Sequence, residues 1–474
     1  MDSWLETEFS AVDLGDVRRD RRLLKVAEGM WRRPQGSVPG ASNGWAEAKA
    51  SYRLWHSKGT TPQDILAPHY EQTRQRAKLS RILLHVQDTT ELDFTGRKLK
   101  GTGPLRELTR RGFLAHSEYL LQEDGLPLGL GHCSIYARSD EDHKTQRELR
   151  HQLPIEEKES YRWLEGYRRA CELAGLGPRL VISIADRESD IYEIYQEWFQ
   201  HQQQGQTRAH WIIRCNQDRK INSDPVEEEA DQVYIKAAIA AAPVLGKTTV
   251  KFRAKEQYKK VDGHKQLIRR SARKAELEIR ACPVELTPPW RKGVAKLPPV
   301  GIWVVMAKEI EPPAGEDPIE WILLTDLSAR TLKKALQILK FYTRRWQIEV
   351  FHKILKSGCR VERSQLKDSE GLLPRVALQM VIAWRIHYLT LLGRSCPDLP
   401  CSAVFKECEW KPLVVIMQGK AHEQEEPSLA QMIKWIGKLG GHLGRKSDGA
   451  PGPQTISKGM LRMLDFALLW EALH

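Results

Sequence analysis

The chain has 474 residues, 41% of them hydrophobic, enough to bury a large core spread over about two to four domains. Lys and Arg outnumber Asp and Glu by 74 to 61, a formal charge of +13 that favours a polyanionic partner. No run of about 18 apolar residues appears. Met1–Glu6 lacks the cationic start and apolar core of a signal peptide, and the eight scattered cysteines form no Cys-x2-Cys pair. The expectation is a soluble, cytoplasmic chain with reduced thiols, no membrane association and no zinc site.

The first 75 or so residues read as a small helical module. Arg18, Arg19, Arg21, Arg22, Lys25, Arg32 and Arg33 crowd one segment and are interleaved with Leu14, Leu23, Leu24, Val26 and Ala27. A basic amphipathic helix of this kind can lie along DNA, and the same pattern also serves many solvated helices. After a break from Arg33 to Gly44, Trp45 to Trp55 is helical in composition, with Lys49 and Arg53 four apart. From about 80 to 215 strands and helices alternate. Ile82–Gln87 is a strand, followed by a basic loop and a hairpin, Tyr119–Leu121 and Leu128–Tyr136, turning at Glu123-Asp124-Gly125. A charged helix is expected from about Asp142 to Ala174, then a strand to Ala185, a helix from Asp190 to Gln200 and a strand over Trp211–Arg214.

About 110 residues follow that read mostly as β: strands at Val233–Ile235, Thr248–Phe252, Ala275–Ile279, Gly301–Met306 and Trp321–Thr325. A helix begins near Ser328. Beyond about 370 the apolar runs Val376–Leu392, Leu413–Met417, Met432–Leu439 and Met460–Leu473 read as helices, and the last carries more apolar surface than a single stripe needs.

Three acids stand out. Asp88 follows the apolar run Ile82–Val86, and Asp186 ends Leu180–Ala185, so each reads as a carboxylate at the C-terminal end of a buried strand. Taken singly, such an Asp is more often a turn or cap residue. The third is Glu349. Placed on one helix at about 100° per residue, Tyr342, Arg345, Glu349, His352, Lys353 and Lys356 share a face within about 60° of Glu349. Ile348, Val350, Phe351, Ile354 and Leu355 cover the opposite side. The competing reading is a solvated face with intrahelical ion pairs. Two strand-end aspartates and one helical glutamate make three hard oxygen ligands suited to two Mg²⁺ ions, with Mn²⁺ as a substitute, and two-metal phosphoryl transfer needs such a set beside phosphate-neutralising cations.

The spacing Tyr-x2-Arg-x3-Glu-x6-Lys at Tyr342, Arg345, Glu349 and Lys356, with Val86-Gln87-Asp88-Thr89-Thr90 and Ala185-Asp186-Arg187-Glu188-Ser189-Asp190, resembles the DDE transposases of the insertion-sequence-four family, transposon-five type. Leu14-Gly15-Asp16-x-Arg18-Arg19 and Gly44-Trp45-Ala46-Glu47-Ala48 resemble the N-terminal DNA-binding module, and Pro451-Gly452-Pro453 with Gly459 looks like the C-terminal part. The resemblance implies an α/β, ribonuclease H-like catalytic core (about 76–370) with a mostly β insertion (about 216–325). A helical DNA-binding module (1–75) and a helical dimerisation region (371–474) flank it.

The resemblance further implies a bacterial cut-and-paste enzyme, nucleoid-associated when bound to DNA. It binds double-stranded transposon ends, synapses them as a homodimer, nicks them, forms and opens a hairpin, and joins the end to target DNA. Asp88, Asp186 and Glu349 are then the catalytic acids. Lys353, Lys356 and His352 become candidate backbone contacts, and Arg22, Lys49 and Arg53 candidate end-DNA contacts. Trp321 is the candidate ring that stacks on a flipped base, and Arg214, Tyr342 and Arg345 would hold the phosphate of that nucleotide. Two alternatives stay open: a ribonuclease H-fold endonuclease without strand transfer, and a non-catalytic DNA-binding inhibitor or domesticated descendant.

Overall fold

The computed structural model describes residues 4–140, 153–177, 179–221, 233–252, 254–261, 264–289, 297–445 and 448–473. The chain forms two compact units, Met1–Glu148 with Trp346–His474, and Leu149–Arg345.

The first unit opens with four helices, α1 (Trp4–Glu8), α2 (Val17–Arg32), α3 (Trp45–Trp55) and α4 (Pro62–Ala77). The Asp16 side chain caps α2 by accepting from the Arg18 N–H, and Thr61 and Asp64 cap α4 reciprocally, which fixes where each helix starts. In α2, Leu23, Val26, Ala27, Met30 and Trp31 face inward.

Strands β1 (Ile82–Asp93), β2 (Gly103–Pro104), β3 (Arg111–Gln122) and β4 (Pro127–Tyr136) follow. β3 is central, antiparallel to the other three. Asp88 therefore sits within β1, opposite Ser117, rather than beyond the strand end. The expected hairpin turn is present, and Gly125 takes the left-handed backbone (φ 97°) that a side chain would resist.

In the second unit, the helix expected from Asp142 is described only in its later part. Residues 142–152 lie outside the described residues; a 3₁₀ turn at Ile155–Glu157 follows Pro154, and regular helix α5 spans Tyr161–Gly175. Then come β5 (Leu180–Ala185), α6 (Tyr192–Gln203) and β6 (His210–Arg214), with β5 and β6 parallel.

The insertion is mostly β as expected, with one correction. Val233–Ile235 is not a strand: Tyr234 makes only an isolated bridge to Lys220, and Ile235–Ala241 is helix α7. Its Ile235 and Ile239 lie one turn apart and both are buried, and its four alanines favour helix over strand. Strands β7 (Val244–Phe252), β8 (Lys255–Val261), β9 (His264–Arg270), β10 (Arg273–Leu286), β11 (Val300–Glu309) and β12 (Glu320–Thr325) complete it. β6, β12, β11, β10 and β7 pair in that order, all antiparallel, while β8 and β9 form a separate hairpin. Helix α8 (Leu332–Arg344) ends the unit.

The chain then re-enters the first unit through α9 (Trp346–Lys353), a π turn (Ile354–Gly358) and helices α10 (Ser369–Ser395), α11 (Glu407–Gln418), α12 (Leu429–Leu439) and α13 (Pro453–Leu473). At 27 residues α10 is about 40 Å long. By length and composition it could cross a membrane, although Arg, Gln and His interrupt its apolar run. In this protein 89% of its apolar window is buried inside the fold. A mixed β core flanked by helices, with helical regions before and after it, is the ribonuclease H-like fold with helical extensions.

Candidate active site

The single helix expected from Tyr342 to Lys356 is interrupted. α8 stops at Arg344 with Arg345 as its cap residue, α9 starts at Trp346, and the backbone widens into the π turn from Ile354. Arg345 itself keeps right-handed helical dihedrals (φ −50°, ψ −32°), whereas the wider π turn changes the 100° phase before Lys356. Tyr342 and His352, at 5% and 6% exposure, are turned inward, whereas Lys353 is exposed and Glu349 is half-buried.

Within the first unit, α9 packs on β1, the strand of Asp88. Ser117, paired with Asp88 in register, also meets α9: its Oγ lies 3.3 Å from Nε2 of His352, one turn after Glu349. A second tether holds the other end of the helix. The Tyr119 hydroxyl donates to Nδ1 of His387 (3.0 Å), and Nε2 of His387 then donates to Oε1 of Gln347 (3.1 Å), two residues before Glu349. The Tyr119 ring stacks on Phe351 at 4.8 Å. Burial pushes the pKa of His387 down to about 3, which keeps it neutral and able to accept at one nitrogen while donating at the other. Lys356 is half-buried; desolvation lowers its pKa, and the Glu362 and Glu91 carboxylates oppose that shift.

In the second unit, Asp186 ends β5 and accepts from the Glu188 N–H, capping the 3₁₀ turn that follows. Tyr342 lies among Arg345, Arg214 and Asp186: burial raises the pKa of its hydroxyl, and the two guanidinium groups pull it back down. Arg214, at the end of β6, is desolvated enough to lower its own pKa, with Tyr342 opposing that shift and Arg187 and Arg345 adding to it. Its Nη2 reaches the Glu320 carbonyl at 3.5 Å, and its Nε is buried with no hydrogen-bond partner among the described residues. Trp321, half-buried in β12, stands edge-on to Tyr342 at 5.9 Å and 67°. Three guanidinium groups gathered around one carboxylate, a phenol and an indole make a place for a phosphate beside a base.

Arg187 belongs to this group, and the sequence reading does not single it out, although it directly follows Asp186. Ser117, Tyr119, His387 and Gln347 were likewise missed. Lys49 and Arg53 are exposed on α3, and Arg22 is half-buried on α2. The donor chemistry of Asp88, Asp186 and Glu349, carboxylate oxygen throughout, fits a hard divalent cation. Among the described residues no three His, Cys, Asp or Glu side chains stand gathered as a ready-made metal cage.

Three family models match in order along the chain: a transposase DNA-binding model over residues 1–59, a transposase DDE domain over 162–384, and a transposase Tn5 dimerisation domain over 381–470. Asp186 and Glu349 fall inside the DDE match, and Asp88 lies ahead of it.

Proposed function

Because this chain belongs to the DDE cut-and-paste transposases of the insertion-sequence-four family, transposon-five type, we propose that Asp88, Asp186 and Glu349 are its catalytic acids and hold two Mg²⁺ ions. DNA binding, dimer formation and metal-dependent polynucleotidyl transfer come with the family. The finer assignments are ours. The observation that carries them is the convergence of Arg187, Arg214, Arg345 and Tyr342 beside Asp186, next to Trp321.

When bound, a divalent pair supplies an activated attacking oxygen and charge neutralisation at the leaving one. The chain's own residues do the rest. Ser117 and His352 fix the rotation of α9 relative to β1, so His352 is a positioning residue rather than a phosphate contact. Lys353 and Lys356 hold the DNA backbone, and the lowered pKa of Lys356 reflects a cation partly stripped of water that gains from a phosphate neighbour. Arg214, Tyr342 and Arg345 clasp the phosphate of an extruded nucleotide. Trp321 offers its ring to that base, and stacking worth about 1–3 kcal/mol per base offsets part of the unstacking cost. Arg22, Lys49 and Arg53 contact the transposon end.

On the DNA, one strand is nicked, the freed 3′-hydroxyl attacks the opposite strand to give a hairpin, water reopens it, and the same hydroxyl attacks target DNA. Residues 1–75 read the end, 76–370 carry the chemistry with the insertion at 216–325, and 371–474 pair two copies in the synaptic complex. The exposed Leu468, Leu469 and Leu473 of α13 are the apolar surface available for that pairing. The reaction takes place on DNA in the bacterial cytoplasm.

The test is a labelled duplex carrying the inverted repeats that flank the gene, incubated with the protein and Mg²⁺. Hairpin ends and joined products support the reading. Cleavage without joining points to an endonuclease, and binding without breakage to a non-catalytic descendant.

A further inference from the structure

Behind α9 the chain makes a second concentration of positive charge, which none of the assignments above uses. A cavity of about 170 Å³ lies in the first unit between the turn that follows α2 and the segment linking the π turn to α10. That is several times the roughly 30 Å³ a water occupies in the liquid. Arg360, Arg363 and Arg375 line it together with Ser37, Tyr52 and Gln365, and no Asp or Glu is among its lining residues.

Arg375 is 3% exposed. Its Nη2 donates to the Gly36 carbonyl at 2.7 Å and its Nη1 to Oε1 of Gln379 at 3.3 Å, both neutral acceptors, while its Nε is buried with no hydrogen-bond partner among the described residues. Burial accordingly pushes its pKa down to about 10, with Cys359 and Tyr52 opposing that shift. A buried guanidinium without a carboxylate is costly unless an anion visits it. Arg360 and Arg363 are exposed on the rim. Arg360 is also the one non-glycine residue with positive φ (50°) among the described residues, a left-handed backbone that costs about 1–3 kcal/mol where nothing compensates it.

We propose that Arg360, Arg363 and Arg375 form a phosphate site that seats one backbone phosphate of the transposon end, resting on the reading of end DNA as substrate. Three forked donors around one concavity match the oxygens of a phosphodiester, and the absence of acids leaves nothing to compete for them. Tyr52 places the site beside α3, the helix of Lys49 and Arg53. The site thus ties end reading to the loop that trails the Glu349 helix.

The experiment is fluorescence anisotropy of a labelled end duplex titrated with the full chain from low to high KCl. Arg363→Ala carries the test because its side chain is exposed and its loss leaves the core intact. Arg360→Asn accompanies it, since Asn tolerates the left-handed backbone. The expected result is about five- to tenfold weaker binding near 0.15 M salt, the equivalent of a charge-assisted contact. The slope of log K against log salt should flatten by about 0.9, the loss of one phosphate neutralised. A methylphosphonate scan of the end should find one position that weakens wild type equally and Arg363→Ala no further.

Unchanged affinity and slope in both variants, with wild type still binding the end, overturns the proposal and leaves the transposase reading standing. If wild type itself does not bind the end, the substrate reading fails, and the DNA assignment of this site fails with it. Thermal denaturation in inorganic phosphate against chloride at equal ionic strength separates the other source. Stabilisation by phosphate that Arg363→Ala abolishes, without any defect on DNA, overturns the DNA assignment in favour of a free phosphate.

Discussion

Asp88 and Glu349 come from a unit whose polar groups close on one another. Ser117 with His352, and Tyr119 with His387 and Gln347, hold β1, β3, α9 and α10 in a fixed relation. Asp186 comes from a unit with the opposite character, where Arg214 and Arg345 flank a single phenol, Arg187 stands beside Arg214, and the Arg214 Nε is buried without a hydrogen-bond partner among the described residues. Neutral, satisfied hydrogen bonds position a carboxylate without competing for what it binds. A buried guanidinium nitrogen without a partner among the described residues, as at Arg214 Nε, stores an electrostatic demand that a phosphate meets. The contrast separates groups suited to orienting the site from groups suited to holding a phosphate, and mutations should separate them too.

The largest effect falls on the acids, which belong to both halves. Glu349→Gln and Asp186→Asn should each remove several kcal/mol of barrier lowering, about a thousandfold in nicking rate at 1.4 kcal/mol per tenfold, while end binding stays within a few-fold of wild type. Single-turnover nicking read beside a gel shift checks this, and equal losses in both assays would erase the distinction.

The orienting half should fail through stability and rate together. Tyr119→Phe leaves Nδ1 of buried His387 without its donor, which should cost about 1–3 kcal/mol in urea unfolding. Gln347→Leu should lower the nicking rate with unchanged end affinity, and Gln347→Glu, which keeps an acceptor for His387, should restore part of it. The recognising half should fail in the reverse pattern. Trp321→Ala should lose about 1–3 kcal/mol of stacking, seen in hairpin formation while the first nick proceeds normally.

His387 gives the comparison a pH axis. Its folded pKa is about 3 against an ordinary value of 6.5, so between these values the unfolded chain binds a proton that the native chain does not, and stability falls as pH falls through that window. From pH 6.5 to 5.5 the loss should be about 1 kcal/mol in wild type, because the unfolded histidine is already half protonated at pH 6.5, and His387→Gln should flatten it. Urea midpoints at the two pH values read it directly. The smallest effects belong to Lys49→Ala and Arg53→Ala, each flattening the salt slope of end binding by about 0.9.

The sequence carries the outline of this fold because strand-forming runs that end in acids, and helical runs of apolar residues, are local signals. β5, β6, β10, β11, β12 and the four C-terminal helices lie where those signals put them. Local composition misleads where a short apolar run suits both states, as at Ile235, and where a helix widens into a π turn, as at Ile354. The Tyr119–His387–Gln347 chain joins residues 268 and 40 positions apart, so no window of sequence reveals it. Arg375 shows no sign of its role beyond being one cation in an apolar helix, since its meaning lies in a cavity closed on one side by Gln35–Val38 and Tyr52, more than 300 positions away.

Asp186→Cys tests the central claim, that the acids of the two units serve one metal-dependent reaction, on a pre-nicked end duplex that can only proceed to the hairpin. A thiolate is a poor ligand for Mg²⁺ and a better one for Mn²⁺. The account predicts end binding near wild type, no hairpin in Mg²⁺ and partial recovery in Mn²⁺. Hairpin formation at the wild-type rate in Mg²⁺ would contradict it, because Asp186 would then hold no metal during the reaction.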